Sequence, residues 1–220
     1  MCSSDLFYDW AALGVMNFYR GLAMSSDVYF YYLSGGYKDF KGLGPDRLAE
    51  WARIYGLGQK TGIDLPGEAK GSVPDPQWKE DTFHEEWLTG DTYNFGIGQG
   101  FMLTTPIQMA RVLVGILNGG DLLQPHVVKE VQAPDGSPVV RYGRTVQSHL
   151  PIEQRHLDAV RIGMQMSVRE GAATAAKRPG VDIAGKTGTA EFGEAIGNRV
   201  YETHGWFMGY EPSEDRKSTR

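Results

Sequence analysis

A chain of 220 residues, 41% hydrophobic and 22% charged, can build one sizeable core or one domain and part of another, and this composition excludes global disorder. A formal charge of −5 excludes the Lys/Arg stripe that a nucleic-acid partner needs. A single cysteine, Cys2, excludes disulfides and thiolate metal sites within the chain, and five scattered histidines without helical ligand spacing argue against zinc. No run reaches the roughly 20 apolar residues that cross a bilayer. The nearest, FMLTTPIQMARVLVGIL, is interrupted by Pro106, Gln108 and Arg111, and the N-terminus lacks the charged and apolar regions of a secretory leader.

In chain order, the pattern predicts a helix over Asn17–Met24 leading into Ser-Ser-Asp, then a second in VYFYYLSGG, closed by Gly35. Pro45 opens a third, with Leu48, Trp51 and Tyr55 on one face and Gly56 beyond its end. From Gly58 to Tyr93, turn formers and aromatics predict loops and short extended pieces. Thr105 caps a buried helix with Pro106 in its first turn, running to Gly119. HVVKEV and PVVRY flank APDGS as a hairpin. A helix follows from Pro151, with Leu157, Val160 and Met164 in register and Gly171 as terminator. Two strands, VDIAGKTGTAEF and THGWFMGY, are joined by a polar loop over 193–202. No repeat appears, and no linker divides the chain.

The two ends read as foreign. One encoding of Asp215–Ser218 is GAT-CGG-AAG-AGC, whose reverse complement, read one base out of frame, yields the Cys-Ser-Ser-Asp of residues 2–5. That match is expected of translated sequencing adapter, which makes 1–6 and 215–220 non-native and 7–214 the native segment.

Two segments carry chemistry. Lys-Thr-Gly occurs twice, and the copy at 60–62 leads into a turn-rich loop where a structural role is expected. The copy at 186–188 lies in a strand whose Gly185 and Gly188 leave little side-chain cover, so a peptide-like ligand can pair with its edge. Lys186 offers charge to a carboxylate, and Thr187 and Thr189 offer hydroxyl donors. The alternative is an ordinary lysine in a Gly-rich edge strand. Ser25-Ser26-Asp27 sits between two helices, where a simple N-cap is the competing explanation. GIGQG lacks a third glycine at the dinucleotide-binding spacing and the Lys-Ser/Thr ending of a P-loop, and a structural turn is expected. Tyr29, Phe30, Tyr31 and Tyr32 read as core, and EDTFHEEW as a solvated loop.

Ser-x-Asp followed about 160 residues later by Lys-Thr-Gly matches part of the set S-x-x-K, S-D-N and K-T-G. With TGIDLPGE, VPDPQWK, GDTYNFGIGQG, TPIQMA, AGKTGTAE and HGWFMGY, the span Phe7–Pro212 resembles the transpeptidase domain of class B penicillin-binding proteins, and within them the elongation-type penicillin-binding protein 2. The resemblance implies an α+β, β-lactamase/transpeptidase-like fold. That fold has a mostly antiparallel sheet flanked by helices, with a helical subdomain carrying Ser-Ser-Asp, here truncated at both ends. It implies serine acyl transfer between peptidoglycan stem peptides, with β-lactams as mimics and no metal or cofactor. Ser25 would relay protons to the leaving amine, Asp27 would hold its helix junction by hydrogen bonds, and Lys186 would orient Ser25. Thr187, Gly188 and Thr189 would bind substrate. The Thr189 N–H would supply half of an oxyanion hole, worth ~3 kcal/mol in such sites. A SEDS-family glycosyltransferase and other elongation-complex proteins are the implied partners. The implied location is the extracytoplasmic face of the bacterial cytoplasmic membrane, reached through an N-terminal anchor outside this chain.

One part of the set is missing. None of the eleven serines has a lysine three positions on, and Thr174-x-x-Lys177 is a poor substitute in its Gly/Ala-rich setting. The chain is therefore expected to lack the nucleophile and to be inactive by itself. A serine β-lactamase and a non-catalytic β-lactam sensor on the same scaffold are the alternatives.

Overall fold

The computed structural model describes residues 7–196 and 200–211. The proposed foreign ends, 1–6 and 215–220, lie outside the described residues. The fold is α+β, with every described strand pair antiparallel. Among the described residues the strands form three two-stranded sheets rather than one continuous sheet. No helix of the described residues is long and apolar enough to cross a membrane.

The chain divides into two compact units, each discontinuous in sequence. The first holds residues up to 48, 75–100 and 158 onward; the second holds 49–74 and 101–157. No linker composition announces this division, because two of the four boundaries fall inside helices α3 (Pro45–Ile54) and α7 (Gln154–Glu170).

In the first unit, α1 (Phe18–Met24) starts where the Asn17 side chain accepts the Arg20 N–H, and α2 (Asp27–Gly35) starts at the Ser26 cap. Two helices, α4 (Pro76–Phe83) and α5 (Thr89–Gly96), occupy a stretch expected to be loop. Helix α4 begins with an Asp75 cap and Pro76, the same punctuation that marks Thr105-Pro106. Its Lys79 is buried and bonded to Asp91 at 2.8 Å, and Asp91 also accepts the Leu88 N–H at the start of α5. Far from being a solvated loop throughout, EDTFHEEW thus begins inside α4.

Glycines set how closely these helices approach. A Cβ on Gly35 would meet the Tyr93 ring at 2.2 Å, and one on Gly96 would meet Ser34 at 2.3 Å, so α2 and α5 touch nearly backbone to side chain. Gly163 on α7 is similarly filled by Leu22 of α1. Ala23, Phe95, Met164, Val168, Ala184 and Tyr210 form the core beneath. The aromatics at 29–32 are half-buried rather than core, and Tyr31 clusters with Phe7 and Tyr93.

The remaining elements of this unit are β5 (Ala184–Ile196) and β6 (Val200–Tyr210), one antiparallel hairpin with Lys186 opposite Met208 and Thr189 opposite Gly205. The strands run well into the stretch 193–202, which was expected to be loop. Gly185 does not leave its strand bare: a Cβ there would lie 2.5 Å from the Phe207 ring and 2.8 Å from the Met208 carbonyl oxygen. At Gly188 the nearest atom, in Trp206, is at an ordinary 3.4 Å. Gly185→Ala is therefore expected to destabilise by about 1–3 kcal/mol, as overpacking does, and Gly188→Ala by clearly less. Denaturant unfolding of the two variants checks the ordering.

In the second unit, α6 (Pro106–Leu117) carries a reciprocal cap between Thr105 and Gln108, and buries Val112, Leu113, Ile116 and Leu117. Gly115 admits Leu122 of β1 (Asp121–Leu123), which pairs with β4 (Val146–His149). Strands β2 (Glu130–Gln132) and β3 (Pro138–Arg141) form the expected hairpin. On α3 the fully buried residue is Ala49, while Trp51 stays 37% exposed. The Lys-Thr-Gly copy at 60–62 is structural: Thr61 is fully buried, and its N–H and hydroxyl both donate to Glu68 at 2.6 Å.

Candidate active site

The turn between α1 and α2 fixes one wall of a groove in the first unit. Ser25 ends α1 in the left-handed region, at φ 55° and ψ 50°, with its N–H turned back to the carbonyls of Gly21 and Leu22. That conformation costs a non-glycine residue ~1–2 kcal/mol, and strain of this kind is held where surrounding contacts demand it. The contacts are here. Buried Ser26 caps α2 by accepting the Tyr29 N–H at 3.1 Å, and donates its hydroxyl to Asp9 at 2.7 Å. Asp9 also accepts the Val28 N–H at 3.3 Å. The junction is thus held by Ser26 and Asp9. The Asp27 side chain makes no hydrogen bond among the described residues, and the holding role expected of it falls to its neighbours.

Strand β5 supplies the other wall. The Lys186 ammonium donates to the Ser25 hydroxyl at 2.7 Å and to the Thr187 carbonyl at 2.7 Å, joining residues 161 positions apart. Burial pushes the Lys186 pKa below the usual lysine value, and the Asp27 carboxylate partly restores it. Burial, with help from Asp9, pushes the Asp27 pKa above the usual carboxylate value against the pull of Lys186. A groove of ≈ 640 Å³ is lined by Ser25, Asp27, Lys186, Thr187, Gly188 and Thr189, together with Trp10, Phe30, Gln99 and the end of α5. All the residues singled out in the sequence as site candidates border this one groove. Thr174 and Lys177 do not line it.

Neither Asp9 nor Gln99 was legible in the sequence as part of the site. Gln99 lies in GIGQG between Gly98 and Gly100, whose φ values of 77° and 72° favour glycine. The turn they permit sends the Gln99 carboxamide to the Thr189 carbonyl at 2.7 Å. Among the described residues no cluster of three or more His, Cys, Asp or Glu side chains forms a metal site.

Both shifted groups disfavour their ionised forms in the fold. For Lys186 the cost is full below its folded pKa and fades as pH rises toward 10.5. For Asp27 the cost is absent below 3.8 and grows as pH rises through its folded pKa. Asp27→Asn is therefore expected to be more stable than the parent at neutral pH, with the gain vanishing in acid. It should also lower the Lys186 pKa further, since it removes the carboxylate that raises it. Thermal melts across pH and a side-chain titration of Lys186 followed by NMR check both outcomes.

The sequence family described as the penicillin binding protein transpeptidase domain matches residues 4–219. The chain belongs to the penicillin-binding protein transpeptidase family. Peptidoglycan D,D-transpeptidase MrdA of Acinetobacter baumannii is 32% identical, over 96% of this chain and 32% of its own length. The crystal structure of Pseudomonas aeruginosa PBP2 in complex with WCK 5153 superposes with a TM-score of 0.74 at 32% identity, covering 97% of this chain and 46% of that one. PBP2 of Helicobacter pylori, in a complex with MreC, also gives 0.74, at 30% identity over 94% of this chain and 36% of that one. The chain spans about a third of the length of the curated relatives it matches.

Proposed function

We propose that this chain is the substrate-gripping part of a serine-type peptidoglycan D,D-transpeptidase. The reading rests on one observation, the 2.7 Å bond from Lys186 to Ser25 at the edge of an open Gly-Thr strand. An extended peptide ending in D-alanyl-D-alanine lies along β5, its carboxylate taking charge from Lys186 and hydroxyl donors from Thr187 and Thr189. In that pose the scissile carbonyl faces the Thr189 N–H, a donor aimed where negative charge develops during attack. Ser25, bonded to an ammonium of lowered pKa, passes a proton to the departing amine. Asp27 acts through electrostatics, supporting the positive charge on Lys186. Residues 7–214 are the native part of the domain in this reading.

The nucleophile belongs to a Ser-x-x-Lys that this sequence lacks, so the acylation step requires a longer protein. In that protein the substrates are peptidoglycan stem peptides and β-lactams. The MreC complex of the Helicobacter pylori relative supports a protein partner; elongation-complex proteins, a SEDS-family glycosyltransferase among them, met at the extracytoplasmic face of the membrane, are the partners this reading implies. The test is a titration of this chain with a peptide ending in D-alanyl-D-alanine, followed by backbone NMR. Shifts concentrated at Thr187–Thr189 and the Ser25 turn are expected. Shifts elsewhere, or none, would refute the reading.

A further inference from the structure

In an antiparallel strand, the N–H and C=O of one residue face the same edge, and successive residues alternate between edges. The Thr189 carbonyl accepts a bond from Gln99, which lies outside the hairpin, and the Thr187 carbonyl, two residues back and so on the same edge, accepts one from the Lys186 ammonium, each at 2.7 Å. Both therefore face the edge of β5 turned away from β6, and their N–H groups face it too. Among the described residues β5 pairs only with β6. At Thr187 and Thr189 the ligand-binding edge thus offers two donors, while both acceptors are occupied by the protein itself.

The two occupants differ in kind. Lys186 fills the Thr187 carbonyl with the same ammonium that holds Ser25, so that bond is part of the charge-bearing wall. Gln99 is uncharged, half-buried, and borders the groove; its backbone N–H is anchored to the Asn94 carbonyl at the end of α5. Its side-chain N–H reaches Thr189 as the backbone N–H of an added strand would. Resting on the reading of β5 as the peptide-binding edge, we infer that Gln99 is an internal stand-in for a ligand amide. It satisfies the Thr189 carbonyl in the ligand-free protein and is exchanged for the N–H of an incoming peptide or acylamino compound. Ligands with an N–H at that point replace one hydrogen bond by another; ligands without it leave the carbonyl unsatisfied. Gln99 is in this way a specificity-determining residue for acylamino ligands.

The test uses this chain and an N-acetylated tripeptide ending in D-alanyl-D-alanine. Gln99→Leu and Gln99→Asn, which remove or shorten the donor, are expected to bind the peptide about two- to tenfold more tightly, the effect of one net hydrogen bond no longer displaced. In the unaltered chain, saturation with peptide is expected to move the Gln99 side-chain carboxamide signals toward their water-exposed positions. That second readout stands even where a variant fails to fold. Weaker binding in the variants would make Gln99 a clamp on the strand and overturn the inference. So would carboxamide signals that stay in place while Thr187 and Thr189 shift, and that outcome would leave the reading of the groove intact. Absence of any shift along β5 would overturn the reading and the inference together.

Discussion

Replacing Lys186 by alanine in a protein that carries this chain together with its Ser-x-x-Lys segment is expected to slow acylation by a β-lactam about 10²–10³-fold. That is the range for losing an electrostatic donor or a positioned proton-transfer partner. The ammonium makes two bonds of 2.7 Å, to Ser25 and to the Thr187 carbonyl, so its loss unfixes the hydroxyl and removes the positive charge at once. Arginine should rescue little: its planar fork cannot occupy the compact position between a hydroxyl and a carbonyl. Lys60→Ala is the matched control, because Lys60 belongs to the structural copy of the tripeptide and lies exposed in the other unit. Its acylation rate should be nearly unchanged, because Lys60 does not line the groove. A stopped-flow measurement with a chromogenic cephalosporin separates the two lysines. The pH profile adds a signature, an alkaline limb arriving below the ordinary lysine value of 10.5 because burial lowers the Lys186 pKa.

The second expected result is all-or-none. The 220-residue chain, incubated with a fluorescent penicillin and denatured, is expected to carry no label. The same sequence extended upstream to include Ser-x-x-Lys is expected to be labelled stoichiometrically. A stable acyl-enzyme needs a hydroxyl whose proton is taken by a neighbouring base, and no serine in this chain has a lysine one helical turn further on. Ser25 has a lysine beside it in space, but the bond runs from the ammonium to the hydroxyl oxygen, which orients the serine without removing its proton. Label on Ser25 would show that Lys186 deprotonates it and would reassign the nucleophile. Thr174, exposed and outside the groove, should stay unlabelled in both proteins.

How far the sequence carried the structure depends on whether the signal was local. Thr105-Pro106, the Asn17 cap and the Gly171 stop are local events, and α1, α6 and α7 begin and end close to them. Strands β5 and β6 were legible from their β-compatible runs, but their length was not, because pairing extends both past residues of low strand propensity. Helices α4 and α5 were hidden by a run rich in Pro, Gly and aromatics. Asp75-Pro76 marked the first, and the second is held by a tertiary partner, the buried Lys79 reaching Asp91. Ser25 and Lys186 were recognisable from motif spacing, whereas Asp9 and Gln99 act through contacts 17 and 90 positions away that no short pattern encodes. Gly185 shows the reverse error. Its small size reads as room for a ligand, while in the fold it is room for Phe207.

One measurement bears most directly on the claim that Ser25 and Lys186 act as a single unit of the peptide-binding groove. It is a double-mutant cycle on the affinity of this chain for a peptide ending in D-alanyl-D-alanine, using Ser25→Ala, Lys186→Met and the two combined. Each single substitution is expected to weaken binding, and the double variant should bind no more weakly than Lys186→Met alone, since the ammonium is what orients the hydroxyl. Losses that simply add would show that the two residues act independently, and would contradict the account.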